Sequence, residues 1–439
     1  MKKILLITLE YPPQHGGVAS YYGGLVEELK RQGHGVDVVA DDGPHWHNPS
    51  HPPLTLRGGE LLGWVWPRWF KTYRTVRRVL KKQKYDLLFV GHVLPLGTVA
   101  YLLRKRVPYV VFTHGMDVLM AQKSWRKRWL TKKILSHAKL IVANSEFTKR
   151  CIENARLQKF TIVSNRNRMI VVYPCPEIST DVKTEDVELL RRKLGLVGKR
   201  VILTLGRVVE RKGHDLVIKA LPEILQHVPE VVYVVAGDGP DLGRLQRMVA
   251  ESALQTPSNS PSERGRNDSI SSPARGISPP VPILENRGSS AAAGTRGGDQ
   301  EGVGGRGGSG GLQPYVRFVG VVSDEERAAY FALCDLFVMP SRQIGADVEG
   351  FGIVFLEAAM FGKPSIGGRS GGIPEAILDG KTGALVDPND PAAFARVAVQ
   401  LLRDDALRYE LGQNAKARVV HEFRWERQIE KLIRSISSP

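Results

Sequence analysis

The chain has 439 residues, 42% hydrophobic and 24% charged, which is ordinary for a globular enzyme long enough to hold two domain cores. No apolar run reaches the roughly 18 residues of a membrane-spanning helix. Three cysteines, Cys151, Cys175 and Cys334, lie far apart without C-x-x-C spacing. That pattern argues against a disulfide scaffold or a zinc site and predicts a reducing, cytoplasmic location.

The net charge of +17 is concentrated in the first 175 residues, which hold 29 Lys and Arg against 11 Asp and Glu. The remaining residues are close to neutral. This asymmetry predicts an anionic partner for the N-terminal half. Nucleic-acid binding is the rival hypothesis from another class of protein, and it predicts strong, salt-dependent binding to DNA or RNA.

The first half alternates strand and helix patterns, as in a doubly wound parallel sheet. Residues 2–9 form an apolar run that is too short for a signal peptide and predicts a buried first strand. A glycine-bearing loop, a helix and a second strand complete a βαβ unit. Further strands are predicted at 86–90, 109–113 and 140–143. We expect this domain to span residues 1–175.

The second half repeats the alternation and predicts a second such domain over residues 176–420. Its strands are expected at 200–205, 231–236, 316–319 and 336–339. Ser323 and Glu326 have the spacing of a capping box. We expect the last helix, about 421–437, to pack back on the first domain.

Residues 252–313 interrupt the second half with a sequence dominated by Ser, Pro, Gly and Arg. This composition buries too little apolar surface to offset the entropy lost on ordering. The segment is also long for a loop within a compact domain. We therefore predict a disordered surface insertion without a catalytic part.

Two basic segments of the first half, 64–84 and 124–139, have helical spacing and carry tryptophans. On the first, Trp66, Phe70 and Val76 fall on one face, with the basic residues away from it. Such helices suit an anionic membrane surface. A helix that packs on a sheet has the same pattern, so both interpretations are open from the sequence.

Glycines and charged residues follow several predicted strands, at the edge where open α/β sheets bind ligands. Gly16 and Gly17 follow the first strand, and His114 follows a later strand of the same half. Arg207 and Lys212 follow the first strand of the second half. Neither G-x-G-x-x-G after the first strand nor G-x-x-x-x-G-K-[ST] occurs, so a nicotinamide or flavin site and a P-loop are not indicated.

Residues 340–376 carry the strongest signal of a site. Glu349 lies in a glycine-broken loop after a strand, and Glu357, separated from it by seven residues, lies in an apolar helix pattern. The helix N-terminus near Glu349 offers unpaired N–H groups and a positive dipole end, which suit an anionic ligand. A carboxylate in the apolar surroundings of Glu357 needs polar partners.

Four motifs in order give the chain a resemblance to a known family. They are Tyr11-Pro-Pro-Gln-His-Gly-Gly17, Gly206-Arg-Val-Val-Glu-Arg-Lys-Gly213, Gly237-Asp-Gly-Pro240 and Glu349-Gly-Phe-Gly-Ile-Val-Phe-Leu-Glu357. The chain resembles glycosyltransferase family 4, the retaining GT-B transferases, everywhere except residues 252–313. Its sequence around residues 338–350 is most similar to the phosphatidylinositol mannosyltransferase branch of this family.

The resemblance implies two Rossmann-like domains facing across a cleft. It also implies transfer of a hexose, such as mannose, from a GDP-, UDP- or ADP-sugar to an acceptor. With the basic first half, we expect a lipid or lipid-linked acceptor at an anionic membrane surface, and a peripheral location on the inner face of the cell membrane. Nucleic acid is not an expected partner. A soluble sugar, a polysaccharide or a small molecule is the alternative acceptor, and a GT-B epimerase is a further alternative.

Roles for the charged site residues are implied by the same resemblance. Arg207 and Lys212 would stabilise the leaving diphosphate by charge-assisted hydrogen bonds. Because they take the place of a metal, we expect no metal and no other cofactor. Glu349 would bind the hydroxyls of the donor sugar, and Glu357 the ribose. His114 would lie against the donor sugar and stabilise its oxocarbenium-like centre.

The remaining donor contacts are implied to be backbone groups and small side chains. Gly16 and Gly17 would let the backbone approach the phosphates. Val319 would line the pocket for the base. The backbone N–H groups of the first turn of the apolar helix would reach the phosphates and the sugar; these belong to Phe351, Gly352, Ile353 and Val354. The family reaction assigns the acceptor proton to the leaving phosphate, so no side-chain general base is assigned.

Overall fold

The structure, a computed structural model, describes residues 1–14, 16–40, 61–62, 67–121, 124–154, 169–252 and 311–437. These residues contain two six-stranded sheets, each with parallel neighbouring strands. The predicted pair of doubly wound α/β sheets is confirmed. The predicted insertion at 252–313 lies outside the described residues, apart from its first residue and its last three.

The first half of the chain builds one sheet. Its strands are β1 (Lys3–Ile7), β2 (Gly35–Val39), β3 (Leu87–Val90), β4 (Tyr109–Thr113), β5 (Leu140–Ala143) and β6 (Met169–Val171). Their order is β2-β1-β3-β4-β5-β6. The helices of this half are α1 (Gly17–Arg31), α2 (Phe70–Lys82), α3 (Leu96–Leu103), α4 (Met116–Ala121), α5 (Trp125–Ser136) and α6 (Glu146–Asn154).

The second half builds the other sheet. Its strands are β7 (Arg200–Leu205), β8 (Val231–Ala236), β9 (Val316–Gly320), β10 (Leu336–Met339), β11 (Ser365–Gly368) and β12 (Gly383–Val386), in the order β12-β11-β10-β7-β8-β9. The helices are α7 (Thr184–Lys193), α8 (His214–His227), α9 (Leu242–Glu251), α10 (Asp324–Leu333), α11 (Ile353–Met360), α12 (Ile373–Ala376), α13 (Pro391–Arg403), α14 (Asp405–Glu422) and α15 (Trp425–Ser437). The capping box of Ser323 and Glu326 at α10 is confirmed.

Both sheets reverse their winding beside the first strand of each half. β1 lies between β2 and β3, and β7 lies between β8 and β10. In open α/β sheets the ligand crevice lies at this point, beyond the carboxyl ends of the strands. The loops that follow β1, β7 and β10 are therefore the places where a site is expected, and they hold the glycines and charges of the four motifs.

The strands β3, β4 and β5 of the first sheet are buried on both faces, which accounts for their nearly continuous apolar sequences. One face is covered by α1 and by the last helix, α15, whose side chains share one apolar cluster with those of β1 and β4. Trp425, Ile429, Leu432 and Ile436 supply the α15 contribution and are all buried. The final helix of the chain therefore belongs to the core of the first domain.

The basic segments of the first half differ from the predicted pattern. The first helix begins at Phe70 and not at residue 64, and Trp66 lies outside the described residues. Phe70 was placed on the same face as Val76, but it is 48% exposed, whereas Val76 is fully buried. On α5, Ile134 is buried beneath α3, whereas both tryptophans point to solvent. No helix in the described part of the chain is both long and apolar enough to cross a bilayer.

Candidate active site

Three loops of the second sheet are held together by glycines that leave no room for a side chain. Gly213 has φ 77°, and a Cβ there would lie 2.3 Å from the carbonyl oxygen of Pro340. A Cβ on Gly237 would lie 2.0 Å from the carbonyl oxygen of Gly206. The close approach fixes the loops after β7, β8 and β10 against one another, so the motif residues that they carry share one end of the sheet.

Lys212 presents a cation with few protein partners. Within the described residues, its ammonium makes one hydrogen bond, to Met339 Sδ at 3.2 Å, and lies within 4 Å of no carboxylate. Burial lowers the pKa of Lys212, and the nearby Glu349 only partly offsets that effect. An ammonium has three N–H donors, so this side chain is suited to receive an anionic ligand.

Glu349 is held in place by Arg211, a residue that the sequence reasoning missed. Arg211 Nη1 donates to Glu349 Oε2 at 2.6 Å, and Arg211 Nε lies 2.9 Å from Asp347 Oδ1. Burial alone would raise the pKa of Glu349, but the charges of Lys212 and Arg211 hold that pKa below its usual value. The carboxylate is therefore ionised and oriented, and it can accept hydrogen bonds from sugar hydroxyls.

Glu357 is buried on α11, and one of its oxygens is unpaired. Arg327 of α10 donates to Oε1, while Oε2 has no hydrogen-bond partner among the described residues. Burial raises the pKa of Glu357 against the opposing charge of Arg327. An unpaired buried oxygen is costly, so Oε2 is suited to accept a hydrogen bond from a hydroxyl group of a ligand. Arg327 was also missed, because it precedes Glu357 by 30 residues in sequence.

The start of α11 lies between the two carboxylates, as expected. Gly352 caps the helix with φ 91°, a left-handed conformation that favours glycine. Phe351 packs into the core, and Ile353 and Val354 begin the helix. The N–H groups of a first helical turn have no partner within their own helix, so this turn offers donors at the end of β10.

Arg207 and Val319 lie apart from this cluster of contacts. Arg207 is exposed and makes no hydrogen bond or ion pair within the described residues. Val319, on β9, is half-buried and packs against the core of the second domain. The structure thus brings Lys212 and Glu349 together, whereas the expected donor contacts of Arg207 and Val319 stay predictions.

His114 faces the second domain from the end of β4. Its Nε2 lies 2.7 Å from the Tyr22 hydroxyl, which donates its one proton to the carbonyl of Gly91 at 2.8 Å. Burial, with His92 nearby, lowers the pKa of His114 to about 3. The imidazole is thus neutral and fixed in orientation.

The two domains meet directly at these loops. A Cβ on Gly350 would lie 2.5 Å from the His114 carbonyl oxygen, and a Cβ on Gly17 would lie 3.7 Å from Ile353 Cγ2. Gly16, with φ 152°, precedes the first turn of α1. The ends of β1 and β4 therefore face the start of α11 across a cleft. No group of three His, Cys, Asp or Glu side chains with the placement of a metal site occurs in the described ranges.

Two Rossmann-like domains, with a helix start that offers N–H donors and a half-buried lysine at their cleft, define a nucleotide-sugar-dependent glycosyltransferase of the GT-B fold. Known families match both halves: Glycosyl transferase 4-like domain over residues 16–165, and Glycosyl transferases group 1 over residues 186–259 and 307–418. The first half of the chain is thus a glycosyl transferase 4-like domain and the second half a group 1 glycosyl transferase domain, which together with the relatives below confirms the predicted resemblance to the family 4 transferases.

Two relatives match the chain along nearly its whole length. The GDP-mannose-dependent alpha-(1-6)-phosphatidylinositol monomannoside mannosyltransferase of Mycolicibacterium smegmatis is 27% identical, with 99% of this chain and 98% of the relative covered. The GDP-mannose-dependent monoacylated alpha-(1-6)-phosphatidylinositol monomannoside mannosyltransferase of Corynebacterium glutamicum is 23% identical, with 100% and 98% covered.

Solved structures have the same fold. Anabaena HepE in complex with UDP-glucose superposes with a TM-score of 0.68 at 19% identity, covering 99% of this chain and 100% of HepE. Sucrose-phosphate synthase of Thermosynechococcus elongatus superposes with a TM-score of 0.70 at 21% identity, covering 99% of each chain. The predicted GT-B architecture and the predicted transferase class are confirmed.

Proposed function

We propose that this glycosyltransferase moves mannose from GDP-mannose to a phosphatidylinositol-type glycolipid at a membrane surface, with retention of configuration. The relatives from Mycolicibacterium and Corynebacterium carry names that include this donor and this class of acceptor. The feature of this chain that supports a lipid acceptor is an exposed surface of the first domain. We call it the aromatic–basic surface and define it by Phe70, Leu102, Met116, Met120, Trp125 and Trp129.

All six of these side chains are large, apolar and 44–68% exposed. They lie on neighbouring helices, since α3 packs against α2 and α5, and α4 packs against α5. α2 and α5 contain no acidic residue and are rich in Lys and Arg. Arg126 and Lys133 lie over the rings of Trp125 and Trp129, at 5.4 and 5.8 Å from their centroids.

Exposed aromatic rings among cations suit the interface of an anionic bilayer, where rings enter the headgroup region and cations contact phosphates. The surface also adjoins the cleft, because α4 begins two residues after His114. A lipid held there would present its headgroup close to the end of β4. This placement supports a membrane-bound acceptor over a soluble one.

For the donor, we propose that Lys212 and Arg207 stabilise the leaving diphosphate, together with the N–H groups at the start of α11. Glu349, ionised and held by Arg211, would bind the mannose hydroxyls, and Glu357 would use its unpaired Oε2 for the ribose. In this proposal the two cations and the N–H groups would stabilise the negative charge of the departing diphosphate in the place of a metal. The leaving phosphate would take the acceptor proton, which requires no protein base.

The test is transfer of radiolabelled mannose from GDP-mannose to a phosphatidylinositol mannoside in anionic vesicles, with UDP-glucose and ADP-glucose run in parallel. We expect transfer from GDP-mannose alone, and an α-linked product by NMR. Equal transfer from UDP-glucose would overturn the proposal that GDP-mannose is the donor. A β-linked product would overturn the proposed retention of configuration. Equal transfer to a soluble mannoside would overturn the proposal of a lipid acceptor.

The surface is tested by the double substitution Trp125→Ser and Trp129→Ser. We expect binding to anionic vesicles to fall about tenfold or more, since each large aromatic side chain contributes on the order of 1.5–3 kcal/mol on burial. Tyr409→Ser is the matched control, because Tyr409 is also exposed, at 69%, but lies on α14 of the second domain. Unchanged vesicle binding by the double variant would remove the proposed surface.

A further inference from the structure

The N-terminus of α6, in the first domain, is held by a carboxylate of the second domain. Glu375 accepts from the backbone N–H of Glu146 and of Phe147, each at 2.6 Å. The next N–H, of Thr148, donates to Ser145 Oγ at 3.0 Å, so Ser145 caps the same helix. Since the first N–H groups of a helix have no partner within it, Glu375 completes the cap of a helix across the cleft.

Ser145, just before α6, makes a second attachment between the same two domains. Its hydroxyl donates to the carbonyl oxygen of Gly350 at 2.7 Å. The residue capping α6 is thus tied directly to the loop that carries Glu349. These three hydrogen bonds between the domains join buried or half-buried groups, where water competes less for the donors.

The segment that carries Glu375 is built into the same loop. Gly372 N–H donates to the Glu349 carbonyl at 3.0 Å. A Cβ on Gly371 would lie 2.1 Å from the Glu349 carbonyl oxygen, and one on Gly372 would lie 2.1 Å from that of Gly350. Such close packing allows no sliding, so Glu375 and Glu349 move as one unit.

The backbone of Glu375 is also anchored, by a side chain of α14. Arg418 of α14 donates to the carbonyls of Glu375, at 2.8 Å, and of Ala376, at 3.0 Å. These bonds anchor the end of α12, while the carboxylate reaches out to the other domain. Burial and the nearby negative charge of Glu375 raise the pKa of the Tyr173 hydroxyl, which comes from the segment between the domains.

We propose that Glu375 is a positioning residue that clasps the two domains in the arrangement in which the Glu349 loop faces His114. Ser145 is its partner in this clasp. The proposed donor contacts come mostly from the second domain, whereas the reacting arrangement needs both domains. Loss of the clasp therefore leaves donor affinity nearly intact and lowers the turnover of the bound complex.

The inference rests on glycosyl transfer but not on the identity of the acceptor. The variant to make is Glu375→Ala, with Glu146→Gln as its matched control. Glu146 contributes only its backbone N–H to the clasp and carries the same charge as Glu375, but its side chain pairs with Lys149 at 3.2 Å. The readouts are small-angle scattering of the free enzyme, binding of GDP by calorimetry, and kcat and KM for GDP-mannose.

For Glu375→Ala we expect a larger radius of gyration than in the wild type, an affinity for GDP within about threefold, and a kcat about 100-fold lower, because a displacement of about 1 Å can cost that much in rate. Glu375→Gln keeps one acceptor oxygen, so its kcat and its radius of gyration should lie between those of the wild type and of Glu375→Ala. The Glu146→Gln enzyme should match the wild type in every readout, and urea unfolding should show that all variants fold.

An unchanged radius of gyration together with an unchanged kcat would overturn the clasp. A loss in GDP affinity as large as the loss in kcat would also overturn it, since Glu375 would then act on donor binding. If GDP-mannose is not the donor, the specific donor assignment fails, while the scattering comparison still decides whether Glu375 holds the domains together.

Discussion

Gly350 lies at a close backbone approach between the two domains, and a single methyl group there tests whether this approach is needed for transfer. A Cβ on Gly350 would lie 2.5 Å from the His114 carbonyl oxygen and 3.1 Å from Asn144 Nδ2. The backbone of Gly350 has an ordinary φ, so alanine adds no conformational strain within its own domain. The substitution Gly350→Ala therefore acts on the contact across the cleft.

The expected displacement follows from the geometry. A carbon and a carbonyl oxygen come no closer than about 3.3 Å in ordinary contacts, so the two loops must separate by about 0.8 Å. Displacements of about 1 Å at an active site cost on the order of 100-fold in rate, which corresponds to about 2.7 kcal/mol of barrier. The contact is between two backbone segments, and neither side can rotate away.

The assay is kcat/KM for mannosyl transfer, with urea unfolding as the measure of stability. We expect kcat/KM for Gly350→Ala to fall about 100-fold and the free energy of unfolding to change by less than about 1 kcal/mol. Gly243→Ala is the control, since a Cβ there meets only Arg247 Nη1 at 3.8 Å within α9. Wild-type transfer by Gly350→Ala would show that the reaction does not use this close approach.

Gly213→Ala should lower the free energy of unfolding in urea by more than about 2 kcal/mol. Gly345→Ala is its control: Gly345 has a similar φ of 62° but open space around it, so alanine there should cost only the left-handed strain of about 1–2 kcal/mol. Equal losses in the two variants would contradict the contact with Pro340. Burial lowers the pKa of His214 to about 4 in the folded protein. The folded state therefore favours the neutral imidazole, and this stabilisation is complete above the unfolded pKa of about 6.5 and is lost as pH falls toward 4. His214→Gln should therefore flatten the loss of stability between pH 6 and 5 by up to about 1.4 kcal/mol per pH unit, and an unchanged slope would show that the imidazole titrates normally. Ser323→Ala should lower the free energy of unfolding by about 1 kcal/mol through loss of the α10 cap, and no change would show that the cap is replaced by water.

Much of the fold could be predicted because the strands are short apolar runs with polar ends. β4, β5, β7, β8 and β10 have the predicted boundaries. Each is buried on both faces, so its sequence carries no competing polar pattern. The basic segments were harder, since an amphipathic helix that packs on a sheet and one that contacts a membrane have the same spacing. Which aromatic side chains are exposed depends on the neighbouring helices.

The candidate site could be predicted only where a motif carries it. Lys212, Glu349 and Glu357 stand in spacings that indicate their place, and the structure brings them to one end of the second sheet. No motif indicates the roles of Arg327 and Glu375, because their partners come from other elements. The partner of Arg327 lies 30 residues away, and the partners of Glu375 lie in the other domain. Contacts between residues at such separations depend on the tertiary fold, which the spacing of residues within a motif does not predict.

The return of α15 to the first domain limits how the enzyme can be divided. A fragment that ends at the linker would lack Trp425, Ile429, Leu432 and Ile436, and it would expose the apolar face of α1 that they cover. Chimeras that exchange acceptor halves between relatives must therefore be spliced twice, near residues 175 and 424. An exchange with one crossover would join an α1 from one parent to an α15 from the other, and the fit of these two helices would decide whether the hybrid folds.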